Sequence, residues 1–212
     1  MRASGFVQSI CGVIVNLGWM FPVQAADVPS APPPSAGRSF TPGNWQDADI
    51  TSRITMQPVT DRGLAGELYL PKAPGARPAI ITLGPCLPGS ARGSAQGLAD
   101  QGYVALALFY CGAGTPFPQL RETPIEYFKT AIDWMRDQPP VDSRHLGMLG
   151  ISAGGQAALL VAATFPQITA VVGIVPSSFV TQALGTASEP PPLKSFWTQA
   201  GQPLPFVPNS AN

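Results

Sequence analysis

Apolar residues along this chain fall in short unbroken runs separated by turn-forming residues. Residues 78–83 (PAIITL), 103–110 (YVALALFY), 146–151 and 170–175 are the clearest runs. Continuous apolar stretches of this length suit strands buried on both faces. Residues 64–70 alternate in part and predict another strand, and counting from Ile54 to Val175 gives six. Helical spacing lies between the runs. Residues 91–101 predict a first helix. Residues 125–137 predict a second, with Ile125, Phe128, Ile132 and Met135 on one face. Thr123 fits its N-cap, Pro124 its first helical position, and Glu126 the acidic member of a capping box. Residues 155–165, small and apolar, predict a third helix. Strands alternating with helices predict an α/β fold, a doubly wound three-layer sandwich around a mostly parallel sheet.

Composition narrows the class. Charged residues are 11% of the 212, against ~25% in an average soluble protein, and twelve basic residues balance twelve acidic ones. A nucleic-acid partner is not expected, because phosphate neutralisation needs a surplus of Lys and Arg. Residues 1–25 read as a signal peptide. Arg2 gives the positive start, residues 10–21 the apolar run, and Val23-Gln24-Ala25 the small residues before a cut. The run is short for a membrane span of ~20 residues, so export with no stable span after cleavage is expected, in the periplasm or outside the cell. Residues 26–50 contain Pro32-Pro33-Pro34 and read as a linker. Residues 51–212 remain for the folded domain.

Gly150-Ile151-Ser152-Ala153-Gly154 carries the chemistry. This G-x-S-x-G pattern follows a predicted strand and opens a predicted helix, the context of a nucleophile elbow. A serine on such a turn projects its hydroxyl outward. Gly150, Gly154 and Gly155 let strand and helix approach without Cβ clashes, and the helix N-terminus offers free amides to developing negative charge. An oxyanion hole of this type uses the amide of the residue after the nucleophile, here Ala153, and one from the loop after the third strand. That loop is Gly84-Pro85-Cys86-Leu87-Pro88-Gly89. Its prolines have no amide hydrogen, which leaves Cys86 as first candidate and Leu87 as second.

Residues 64–208 resemble the C-terminal catalytic domain of the acyl-CoA thioester hydrolase and bile-acid-CoA:amino-acid N-acyltransferase family, within the dienelactone-hydrolase-like α/β hydrolases. The resemblance is carried by PAIITLGPC (78–86), Pro124-Ile125-Glu126-Tyr127-Phe128, Asp133-Trp134 and Leu149-Gly150-Ile151-Ser152-Ala153-Gly154-Gly155. Further on it is carried by Ile168-Thr169-Ala170-Val171-Val172, Val175-Pro176-Ser177, Ser195-Phe196-Trp197-Thr198, Gly201 and residues 203–208. It implies Ser152 as nucleophile and a small acyl ester or thioester as substrate. The family's oxyanion loop is richer in glycine than this one.

A triad in this fold runs Ser, then Asp or Glu, then His. After Ser152 the sequence has no histidine, no aspartate and one glutamate, Glu189. The single histidine, His145, precedes Ser152 by seven positions, roughly 23 Å along a strand, beyond the ~3 Å reach of a general base. The resemblance implies two more strands carrying the acid and the histidine, so the chain reads as a domain incomplete at its C-terminal edge, with an impaired nucleophile. Three functions stay open: an ester or thioester hydrolase, a non-catalytic product, and an acyltransferase. The family's strand order places the strands before Cys86 and Cys111 side by side, and a disulfide between them suits an oxidising compartment. No metal site and no cofactor are expected, since one histidine and scattered cysteines do not make a zinc site. The strand at residues 170–175 is expected to leave an apolar sheet edge prone to self-association, unless the Pro-rich tail around Trp197 and Phe206 covers it.

Overall fold

A computed structural model describes residues 53–87, 89–185 and 189–209. The signal-peptide and linker assignments fall outside these residues. The elements in chain order are β1 (Ile54–Val59), β2 (Gly66–Pro71), β3 (Arg77–Leu83), α1 (Arg92–Asp100), β4 (Val104–Leu108) and β5 (Thr123–Pro124). They continue with α2 (Glu126–Arg136), β6 (Val141–Ile151), α3 (Ala153–Thr164), β7 (Ala170–Ile174), β8 (Trp197–Gln199) and β9 (Gln202–Pro203).

Six strands form one sheet in the order β1-β2-β4-β3-β6-β7. β1, β2 and β4 pair antiparallel, whereas β4, β3, β6 and β7 run parallel. Every residue of β4 is buried, which explains its unbroken apolar sequence. Its two faces differ in size. Ala105 and Ala107 meet Ala91, Ala95 and Ala99, so α1 lies close on one side. Val104, Leu106 and Leu108 join the larger core with Phe128, Ile132 and Met135 of α2 and Ala157, Ala158 and Val161 of α3. Helix, sheet and helix make the three expected layers.

The start of α2 departs from the capping box. Ile125 is the N-cap and makes no side-chain cap bond. Thr123 and Pro124 form β5 instead, parallel to β8. The Thr123 amide donates to Phe196 O (2.8 Å) and the Ile125 amide to Thr198 O (3.0 Å). Pairing with a distant strand thus replaces local capping, and the buried Thr123 hydroxyl is left without a partner. Glu126 Oε1 accepts the Ala200 amide (2.7 Å), so the carboxylate holds the β8–β9 turn.

Two other expectations shift. β6 begins at Val141, five residues before the predicted start, and its register against β3 jumps: Arg77 faces Val141 while Ala79 faces Leu146. Among the described residues β7 pairs with β6 alone, and Ile174 at its end and Val175 after it are exposed. The tail does not lie along that edge. Trp197 is fully buried against Tyr110 and Phe128, with ring centroids 5.8 Å away in both cases.

Candidate active site

The elbow stands at the carboxyl edge of the sheet. Ser152 has φ 54° and ψ −120°, a conformation that costs a non-glycine residue ~1–3 kcal/mol. Two backbone bonds hold it there. Its amide donates to Ile174 O (2.9 Å), and its carbonyl accepts the Gln156 amide (3.0 Å). The side chain is exposed, as a nucleophile requires. The glycines are explained by close approach. A Cβ on Gly150 would strike the Gly154 carbonyl, and one on Gly154 would strike Gly84 O and Leu83 O. A Cβ on Gly155 would lie 3.0 Å from Gly150 O. The first turn of α3 is therefore packed against the end of β3, which brings the 84–89 loop beside Ser152.

Two amides were candidates in that loop. The Leu87 amide is engaged with Pro85 O (2.5 Å). Among the described residues no such bond holds the Cys86 amide. Ala153 opens α3, where an amide has no intrahelical acceptor. The loop is anchored by Tyr110, which the sequence did not single out, and by Cys111, which it paired with Cys86. The Tyr110 hydroxyl donates to Gly84 O (2.8 Å), and burial pushes its ionisation well above the usual tyrosine range. The adjacent Cys111 is joined to Cys86 in a disulfide with Cα atoms 5.1 Å apart, within the span such a bond tolerates.

A second tie runs from α3 to the segment that follows β7. Gln156 Nε2 donates to Phe179 O (2.7 Å), and Gln156 Oε1 accepts from Trp197 Nε1 (2.6 Å). A polar amide inside the apolar run GGQAALLVAA is the sequence signal for this contact. Phe179, Leu184 and Leu193 leave this segment with exposed apolar side chains.

His145 lies far from this assembly. It sits opposite the start of β3 in the sheet, five residues before the strand end at Gly150 that faces Leu83. Its Nδ1 is 2.9 Å from Asp142 Oδ2. Hydrogen bonds from Arg144 and His145 hold the Asp142 carboxyl far below the usual range. A cavity of about 400 Å³ lined by Leu70, Lys72, Arg77, Val104 and Pro140 also lies at that opposite end. Among the described residues no cluster of His, Cys, Asp or Glu could hold a metal, and no helix is long and apolar enough to cross a membrane.

Strand order, the left-handed serine after β6 and the glycine packing around it define an α/β hydrolase. Residues 123–200 match the family profile described as BAAT / Acyl-CoA thioester hydrolase C terminal. The chain is 38% identical over 142 residues to mitochondrial acyl-coenzyme A thioesterase 2 of Rattus norvegicus, which covers 66% of this chain and 31% of that protein. It is 30% identical over 163 residues to the bile acid-CoA:amino acid N-acyltransferase of Mus musculus, 77% of this chain and 37% of that one. The dienelactone hydrolase-like phosphotriesterase P91 from metagenomic libraries aligns with TM-score 0.49 at 23% identity, over 56% of this chain and 58% of that one. Residues 123–200 thus carry the match to the acyl-CoA thioester hydrolase and bile acid-CoA:amino acid N-acyltransferase C-terminal family, and the chain is similar to members of both branches. The chain spans about a third of the length of the curated relatives it matches.

Proposed function

We propose that this protein is an exported serine hydrolase of small acyl esters or thioesters, with Ser152 as nucleophile. The observation that carries the reading is the exposed serine held at φ 54°, ψ −120° at the N-terminus of α3. Ser152 Oγ attacks the acyl carbonyl carbon. The oxyanion is met by the amides of Ala153 and Cys86, aided by the helix dipole. The alcohol or thiol departs with a proton, and water releases the acid from the acyl-serine. An amine or alcohol in place of that water gives acyl transfer, which uses the same residues.

The polypeptide of this sequence is slow by itself on this reading, because His145, the one imidazole among its 212 residues, stands at the other end of β6. An oxyanion hole without its triad still supports a rate of ~10³–10⁴ over water, so activity is reduced rather than absent. Export is supported by the signal-like pattern of residues 1–25 and agrees with a Cys86–Cys111 disulfide. A fluorophosphonate probe tests the nucleophile. Labelling of the wild type but not of Ser152→Ala supports it, together with slow release of p-nitrophenol from short esters or of thiol from acyl thioesters. Equal labelling of both overturns it and favours the non-catalytic reading.

A further inference from the structure

We propose that Tyr110 and Cys111 form a two-point clamp on the oxyanion loop, and that the redox state of the Cys86–Cys111 pair therefore sets the competence of the site. The inference rests on the serine-hydrolase reading for its catalytic meaning, but the clamp itself is a statement about loop order.

The argument starts from what holds residues 84–90. Inside the loop the bonds are short-range. The Leu87 amide turns back to Pro85 O, and the Ser90 amide to Leu87 O (3.2 Å). The Ser90 hydroxyl lies 2.9 Å from Pro85 O and 2.6 Å from Leu87 O. Such bonds shape a turn without fixing its place on the domain. Beyond the packing of Gly84 under α3, it is held from outside by the 110–111 dipeptide: the Tyr110 hydroxyl donates to Gly84 O (2.8 Å), and Cys111 holds Cys86 covalently. The two anchored residues flank Pro85, and Cys86 is the residue that the proposed function assigns as the loop's oxyanion donor.

The anchor side is stiff. The Tyr110 ring packs on Phe128 at 5.5 Å and on Trp197 at 5.8 Å. The loop after Cys111 closes on itself through the Gly112 amide to Phe117 O (3.0 Å), and Phe117 stacks edge-on against Tyr127 at 5.2 Å. Loop and anchor meet with only about 10 Å³ of space between them, about the minimum that holds one water. Breaking the covalent arm removes one of the two pins and leaves the hydrogen bond to Gly84 alone.

The chemistry balances with a dithiol reductant. One of its thiolates attacks a sulfur of the pair and forms a mixed disulfide, and its second thiol closes the ring. Two electrons and two protons pass to Cys86 and Cys111, which become thiols, and the reductant leaves as a cyclic disulfide. Cys86 is partly exposed while Cys111 is 4% exposed, so attack falls on Cys86.

The test compares oxidised protein, dithiothreitol-reduced and alkylated protein, Tyr110→Phe, and the Cys86→Ser/Cys111→Ser pair. Hydrogen exchange reports the clamp without reference to catalysis. The expected result is faster exchange confined to residues 84–90 in all three altered forms, with β3, β4 and β6 still protected. Unchanged exchange at 84–90, or a rise spread over the whole sheet as for a purely structural disulfide, overturns the clamp. Fluorophosphonate labelling of Ser152 then reports the catalytic consequence. It should slow at least about tenfold on reduction, and at most by the ~10²–10³ attached to losing one oxyanion donor outright. Tyr110→Phe, which keeps the ring, should lower kcat for a p-nitrophenyl ester with KM unchanged. Looser exchange with unaltered labelling and kcat overturns the regulatory claim. Absence of labelling in the oxidised wild type overturns the nucleophile assignment instead, while the exchange result still decides the clamp.

Discussion

Replacing Gly150 with alanine tests the packing that creates the elbow. The new Cβ would overlap the Gly154 carbonyl and lie 2.7 Å from the Gly155 nitrogen. These are backbone atoms in the first turn of α3 and cannot rotate aside. Relief needs β6 and α3 to separate by about 1.5 Å to regain ordinary contact distance. Overpacking of this kind costs ~1–3 kcal/mol, and loss of glycine's backbone freedom returns only ~0.5–1 kcal/mol. With an overlap this severe at the upper end of that range, the net expectation is a loss of about 2 kcal/mol, or roughly 4–8 °C in Tm for a domain of this size. Gly155→Ala is the internal control. Its Cβ meets Gly150 O at 3.0 Å, the Pro176 ring at 3.2 Å and Ile174 O at 3.3 Å. Shifts of a few tenths of an ångström suffice there, and alanine gains ~1 kcal/mol in helix propensity, so the two effects nearly cancel. Urea unfolding followed by circular dichroism, analysed by linear extrapolation, measures both variants. Gly150→Ala within ~0.5 kcal/mol of wild type, or less damaging than Gly155→Ala, would refute the reasoning. The displacement also moves the nucleophile, and misplacement by about 1 Å costs on the order of 10²-fold in rate.

Ser152→Gly should abolish probe labelling while raising stability by ~1 kcal/mol, because glycine adopts the left-handed conformation without strain; a lower urea midpoint than wild type contradicts this. Trp197→Phe removes the donor to Gln156 Oε1 and leaves that oxygen buried, at a cost of ~1–3 kcal/mol, read from thermal melting; an unchanged Tm means the oxygen finds another donor. Burial pushes the Tyr127 phenol up to about 12, above its ordinary value near 10. Its folded-state pKa is raised, so its contribution is fully present below pH ~10 and is lost as pH rises through 12. The urea midpoint should therefore fall between these values, and Tyr127→Phe should flatten that fall; an equal slope in both proteins assigns the loss to other groups.

β3 and β4 were legible because both of their faces are buried: β4 carries no polar residue, and β3 from Pro78 to Leu83 carries one, Thr82, whose buried hydroxyl is bonded to Ala91 O and Leu106 O. The elbow was legible because close approach of backbones leaves glycine as the fitting residue at 150 and 154. What stayed hidden depends on contacts distant in sequence. Thr123 and Pro124 spell a helix start locally, and only their pairing with Trp197 and Thr198, more than seventy positions away, turns them into a strand. Tyr110 reads as the last residue of an apolar run, and nothing local says that its hydroxyl reaches back to Gly84. The charged stretch Asp142-Ser143-Arg144-His145 masks the first half of β6, because an irregular register frees those side chains from the pattern of a buried strand.

That irregular register has a consequence for handling the molecule. Between the Arg77–Val141 and Ala79–Leu146 pairs, β6 carries three more residues than its partner, and Ser143 and Arg144 are exposed on the excess. The chain beyond it is back in step with β3 from Leu146 through Gly150, so the slack is absorbed before the elbow begins. Extra residues or a fluorophore attached at Ser143 would lengthen the bulge and leave the position of Ser152 unaltered, which makes this outer turn the natural place for a reporter.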